Sequence, residues 1–282
     1  MKKIIILFIL FSTYIFSNIN AVVSIVPEQT FLKAIGGETV NITLMVQAGD
    51  SPHTYEPKPS QMLSVAKADL YLAIDVEFEQ VWLPKFENLN SKMVVADVAK
   101  GVKKIAMSHE NEAHAVHDAH EGKDPHIWTS PANVKTIAQN IYKALVKVDK
   151  DNEYYYHHNL DAFLKQVEKT DMQIKEILST LKGSHTFMVF HPSWGYFAKA
   201  YGLKQIAVEV EGKSPKPREL VQLMKEAKEE NITAIFTQPE FSDASAKILA
   251  KELHIPVIKV SPLAANWSEN LINIAKAIAG EK

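Results

Sequence analysis

Residues 150–182 read KDNEYYYHHNLDAFLKQVEKTDMQIKEILSTLK, a run with no glycine and no proline. Leu160, Phe163, Val167, Ile174, Ile177 and Leu181 recur in alternating three- and four-residue steps, with Thr170 the polar member of the series. That spacing predicts a single helix with one apolar stripe. About 30 residues at about 1.5 Å each span roughly 45 Å, enough to run the length of the molecule. Such a helix packs through its stripe and also serves as a stiff connector between whatever lies on either side.

On both sides, short apolar runs alternate with amphipathic stretches. Before it, strands are expected at Val22–Val26, Val40–Val46, Leu70–Ile74 and Met93–Val98, with helices at Gln29–Ile35, Gln61–Ala68 and about Phe78–Phe86. After it, strands are expected at Thr186–Phe190, Gln205–Val210, Ala234–Thr237 and Val257–Val260. Helices are expected there at Tyr196–Tyr201, Pro217–Glu230 and Ser242–Leu253. Ser130-Pro131 supplies an N-cap and a first-turn proline for a further helix. Alternating β and α units give parallel sheets flanked by helices. The expected fold class is therefore α/β, with two such lobes joined by one long backbone helix. The boundaries follow: a leader at 1–21, an N-terminal lobe at 22–148, a linking helix at 149–183 and a C-terminal lobe at 184–282.

The leader reads as a secretory signal. Lys2 and Lys3 precede a mostly apolar run from Ile4 to Phe16, and Asn18-Ile19-Asn20-Ala21 offers a small residue for cleavage. The run is short for a membrane span of about 20 residues. The chain of 282 residues is 46% hydrophobic, ample for a large core. Its net charge of −2 becomes −4 once the two leader lysines are removed, so no basic field argues for nucleic acid. The absence of cysteine excludes disulfides, thiolate metal sites, a catalytic thiol and an N-terminal lipid attached to sulfur. A monomeric periplasmic protein, not a lipoprotein, is expected.

Three histidines share one local context, each beside a proline and shortly before an aromatic residue. They are Pro52-His53-Thr54-Tyr55, Pro125-His126-Ile127-Trp128 and His191-Pro192-Ser193-Trp194. Imidazole is the commonest protein ligand for zinc-like metals, and a proline neighbour restrains the backbone that carries it. His191 also directly follows an apolar strand, where ligands bind in parallel sheets. One metal pocket built from separate loops is expected. Met107 to Asp124 lacks apolar periodicity and contains His109, His114, His117 and His120. It is expected as a His-rich loop, at 108–123, with auxiliary metal-binding capacity.

Asp50 to Ser60 fits Asp-x-Pro-His-x-Tyr-x-Pro-x-Pro-Ser, Asp124 to Trp128 fits Asp-Pro-His-x-Trp, and Phe190 to Ala198 fits Phe-His-x-x-Trp-Gly-Tyr-Phe-Ala. In this order the motifs resemble the solute-binding subunits of ABC importers for zinc, manganese or iron(II). The resemblance implies metal in an interlobe cleft, and delivery to an inner-membrane permease powered by a cytoplasmic ATPase. Manganese and iron relatives usually place a carboxylate where this chain has His191, so a third imidazole favours zinc as the carried ion. The family's usual aspartate in Asp-Pro-Leu is replaced by Ser261-Pro262-Leu263. A fourth position would then fall to water, a loop histidine or Glu240, with Glu209 and Glu211 weaker candidates. His157, His158, His185 and His254 are expected to be structural or surface residues. Manganese or iron(II) transport is one alternative. A periplasmic zinc hydrolase is another, although no His-Glu-x-x-His motif is present. The preferred reading is a binding protein and not an enzyme.

Overall fold

The structure, a computed structural model, describes residues 18–107, 122–181, 184–210 and 213–281. The N-terminal half contains β1 (Ile19–Val23), α1 (Val26–Gly36), β2 (Val40–Leu44), α2 (Pro59–Val65), β3 (Leu70–Ala73), α3 (Glu77–Leu89), β4 (Val94–Asp97) and α4 (Pro131–Val148). The connector is α5 (Glu153–Ser179). The C-terminal half contains β5 (Thr186–Val189), α6 (Gly195–Tyr201), β6 (Lys204–Ala207), α7 (Pro217–Glu229), β7 (Ile235–Thr237), α8 (Ala244–Leu253), β8 (Val257–Lys259) and α9 (Trp267–Ala279).

Each half folds a four-stranded, all-parallel sheet, in the orders β2-β1-β3-β4 and β6-β5-β7-β8. The two orders are the same, offset by four strands. In each, the first strand lies between the second and third, so the winding direction reverses there. That reversal opens a crevice at the carboxyl ends of the strands.

The predicted stripe of α5 is its buried face. Leu160, Phe163, Val167, Thr170 and Ile174 are all buried, joined by Tyr156. Thr170 is tolerated because its hydroxyl donates to the Gln166 carbonyl at 2.9 Å, one turn back. Tyr156 is satisfied by Asp149 at 2.6 Å and Thr39 at 2.9 Å. The helix proper starts at Glu153, after a 3-10 turn over Lys150–Asn152, and so is shorter than the 150–182 run.

Two boundaries depart from expectation. β1 begins at Ile19, with Ile19, Asn20 and Ala21 already paired to Val40, Asn41 and Ile42. The Asn20 amide also donates to the Asp69 carboxylate at 2.9 Å. Three of the five β1 residues, Ile19 to Ala21, thus fall within the stretch expected as leader. Val26, expected to end that strand, instead opens α1, because Pro27 suits the first turn of a helix. Ser130 and Pro131 do stand at the cap and first turn of α4, but the Ser130 hydroxyl makes no capping bond.

The second departure is α9, which the sequence reading left unassigned within 184–282. It lies along α5, and its first residue, Trp267, meets Phe31 of α1 edge-on at 5.5 Å. The Trp267 indole donates to the Trp128 carbonyl at 2.8 Å, and the Trp128 indole donates to the Pro262 carbonyl at 2.7 Å. The C-terminal segment is thus a second tie between the halves. Buried residues of both sheets form one continuous cluster, from Val23 and Leu72 through Phe163 and Val167 to Phe187 and Phe236. A smaller cluster, including Met188, Ile206, Leu223 and Leu249, fills the other face of the second sheet.

A core that runs unbroken between the lobes, with two crossings and no glycine or proline in α5, resists hinge bending. Small-angle scattering with and without bound metal is expected to give the same radius of gyration within error. A marked compaction on metal addition would show that the lobes close instead.

Candidate metal centre

His53 lies in the segment between β2 and α2, His126 just before the 3-10 turn Ile127–Thr129 that leads into α4, and His191 two residues beyond β5. They are 73 and 65 positions apart in sequence. The fold nevertheless brings one ring nitrogen of each within 4.8 Å of the others. Ring centroids are 5.2 Å apart for His53–His191, 5.5 Å for His126–His191 and 6.5 Å for His53–His126. Ligands about 2.0–2.1 Å from a tetrahedral zinc lie about 3.4 Å from one another. By ring centroids, the His53–His126 pair is the widest of the three.

Each imidazole is backed by a carboxylate at Nδ1. Asp124 Oδ1 sits 2.8 Å from His126 Nδ1 and also accepts the His126 backbone amide at 2.9 Å. Glu209 Oε1 sits 2.7 Å from His191 Nδ1. Glu77 Oε1 approaches His53 Nδ1 more loosely, at 3.5 Å. A carboxylate only accepts, so Nδ1 carries the proton and Nε2 keeps its lone pair for a metal. His191 Nε2 is buried and makes no hydrogen bond. An unpaired polar atom in such a place is costly unless it has a ligand to meet.

The surroundings fix His191 most firmly. Gln238 accepts its backbone amide at 3.2 Å and donates to its carbonyl at 2.6 Å and to Ser193 Oγ at 3.0 Å. Phe241 stacks on its ring, with centroids 4.5 Å apart at 25°. Trp128 meets His126 edge-on at 5.4 Å. His126 and His191 are buried, whereas His53 is exposed.

Electrostatics follow burial. Desolvation pushes His191 below the ordinary imidazole value, against the pull of Glu209. The hydrogen bond to Glu77 raises His53 above it. Burial would raise the Glu77 carboxyl, but His53 outweighs that and brings it down to about 2.

Glu240 lines the same pocket as the three histidines, together with Glu77 and Phe241. Its Oε1 accepts from Ser261 Oγ at 3.0 Å, while its Oε2 is buried without a partner. Burial raises its carboxyl. Ser261 therefore stands beside Glu240 as its hydrogen-bond donor. Glu209, weighed as a ligand from the sequence, is occupied behind His191. Glu211 and the loop histidines His109, His114, His117 and His120 lie outside the described residues. His157 pairs with Asp161 at 3.5 Å on an exposed helix face, and His254 caps α8 with a positive φ of 57°. Neither they nor His158 and His185 join the trio.

The sequence reading missed the partners behind the ligands. Asp124 precedes its histidine by two residues and was legible as part of that motif. Glu77, Glu209, Gln238 and Phe241 lie between 18 and 50 positions from the histidines they serve, and no local pattern marks them.

Comparison with known proteins points the same way. The zinc-binding lipoprotein AdcA of Streptococcus pneumoniae is 28% identical over 260 residues, covering 90% of this chain and 52% of that protein. The chain thus spans about half the length of the first curated relatives it matches. The manganese ABC transporter substrate-binding lipoprotein ScaA of Streptococcus gordonii is 29% identical over 253 residues, covering 85% and 77%. A crystal structure of ZnuA superposes with a TM-score of 0.85 at 41% identity, covering 94% of this chain and 99% of that one. Residues 21–280 match the model of the periplasmic zinc-uptake complex component A, and the chain belongs to that family.

Proposed function

We propose that this protein captures Zn2+ on the outer side of the cytoplasmic membrane and hands it to an ABC importer: a membrane permease driven by a cytoplasmic ATPase. It acts as a monomer and catalyses nothing. Its leader is removed ahead of Ile19, and with no cysteine in the sequence it carries no sulfur-linked lipid. Zinc is cargo here and not a resident cofactor.

One observation carries this reading. Three imidazoles from three separate segments bring one ring nitrogen each within 4.8 Å of the others, with a carboxylate beside each Nδ1. Three neutral nitrogens favour zinc over manganese or iron(II) in the usual affinity order. Glu240 is the fourth ligand in this reading: it lines the pocket, its Oε2 is buried without a partner and its Oε1 is held by Ser261. A hydrolase reading is weaker, because the carboxylates of Asp124 and Glu209 are committed to orienting histidines and are not free to act as a base.

Zinc titration by competition tests the assignment. Alanine at His53, His126 or His191 should weaken binding strongly while leaving the fold intact. Removal of residues 108–122 should leave one tight site and abolish only weaker, additional binding, since the three clustered histidines lie outside that stretch. Unchanged titrations for any two of the three alanine variants would remove the site. Loss of tight binding on loop deletion would place a ligand in the loop.

Glu209→Gln should lower zinc affinity about 10–100-fold, the usual cost of losing a partner behind a metal-bound histidine. Equal affinity in that variant would mean His191 needs no carboxylate to present Nε2.

Acid should release the metal, because protonated imidazole cannot coordinate. His53 has its value raised by the hydrogen bond to Glu77, so as the pH falls it protonates ahead of His191, and binding should begin to weaken above the ordinary imidazole value of about 6.5. Glu77→Gln removes the cause of the rise. Its acid-release midpoint is expected at lower pH than that of the native protein, even as affinity at neutral pH drops. A midpoint that stays put would take His53 out of the titration.

A further inference from the structure

The turn that carries His191 also reaches across to the partner of His126. After His191-Pro192-Ser193-Trp194 come Gly195 and Tyr196, the first two residues of α6. The buried Tyr196 hydroxyl accepts the Ile105 amide at 3.2 Å and donates to the Asp124 carbonyl at 3.0 Å. Those two residues close a short antiparallel stem. The Asp124 amide donates to the Ile105 carbonyl at 2.9 Å, and Ala106 bridges to Lys123. Tyr196 thus pins the stem two residues ahead of His126, from the opposite lobe.

Gly195 presses on the same residue from the side-chain end. A Cβ at Gly195 would fall 2.5 Å from Asp124 Oδ2, closer than real Cβ atoms come to any neighbour. The absence of a side chain there lets α6 seat against the carboxylate. Asp124 is buried, its Oδ1 accepts both bonds from His126, and its Oδ2 has no hydrogen-bond partner. Among the described residues, no polar contact of the side chain other than those to His126 orients this carboxylate. Its aim is set by the backbone that Tyr196 holds and by the surface of Gly195.

We propose that Gly195 and Tyr196 are positioning residues for metal capture: they seat Asp124 from across the lobes so that it holds His126 with Nδ1 protonated and Nε2 presented alongside His191. Neither residue touches the metal. They make the geometry of one ligand depend on the turn that carries another, so the two buried imidazoles are aligned as a pair. This rests on the zinc-site reading above.

The test uses the full-length mature protein, with Tyr196→Phe and Gly195→Ala as variants. The first keeps the buried ring and loses only the hydroxyl. The second keeps the hydroxyl and crowds the carboxylate. Nitrogen-15 NMR of the imidazoles in the metal-free protein reads the tautomer of His126, and competition titration reads zinc affinity. Native protein should show His126 as the Nδ1-protonated form. In both variants that signature should give way to a mixture, the His191 signature should persist, and affinity should fall about 10-fold, the lower end of effects transmitted through a ligand's partner. An unaltered His126 tautomer in either folded variant would overturn the proposal, whatever the affinity, because a merely structural role weakens binding without changing that signal. Should Tyr196→Phe fail to fold, Gly195→Ala gives the same reading on its own. His126→Ala is the control: if it binds zinc as the native protein does, the zinc-site reading itself falls. If it loses binding while both positioning variants behave like native protein, only the present proposal falls.

Discussion

A buried imidazole nitrogen without a hydrogen-bond partner, such as His191 Nε2, is costly to build. Desolvation alone disfavours the charged ring, but it leaves the choice of tautomer open and leaves a polar atom with no partner. The carboxylates behind the rings resolve the tautomer. Asp124 and Glu209 claim Nδ1 of His126 and His191 at hydrogen-bonding distance, so the lone pair of Nε2 faces the pocket. Much of the surrounding structure serves those two contacts. Gln238 grips the backbone of His191, Phe241 stacks on its ring, and Tyr196 holds the carbonyl of Asp124.

The fold supplies these contacts at low cost because both sheets are wound in the same strand order. In such a sheet, the loop after the central first strand opens at the reversal point, where backbone groups are not consumed by the ladder. His191 uses that position in the second sheet. In its counterpart after β1, Ser24 hydrogen-bonds the buried carboxylates of Glu28 and Glu79. The first lobe instead contributes His53 from the segment after β2. The chain leading into α4 provides His126. The candidate site is therefore asymmetric although the sheets are alike: two of its histidines stand on short, well-tied turns, and the third on a longer loop.

Much of this architecture was written in local patterns. The stripe from Leu160 to Ile174, the alternation of short apolar runs and the proline-flanked histidines are all features of neighbouring residues, and such features survive folding. The limits of legibility are also physical. β1 reached back to Ile19 because pairing with β2 and β3 rewards extension, a reward that exists only once those strands are alongside. α9 escaped notice because its apolar face makes sense only against α5 and Phe31.

The same division runs through the site. Histidines beside prolines can be recognised because the chemistry and the constraint lie within a few residues of each other. Asp124 could be recognised with them, being two residues from His126. Glu209 and Glu77 could not, because a carboxylate that orients an imidazole needs only to be close in space, and separations of 18 and 24 positions leave no periodic trace. Ser261 shows the converse. Read from the sequence only as a substitute for an aspartate, it is a donor to Glu240, 21 residues away. A ligand's partner is set by the folded surface, and sequence records it only when the chain happens to return to it quickly.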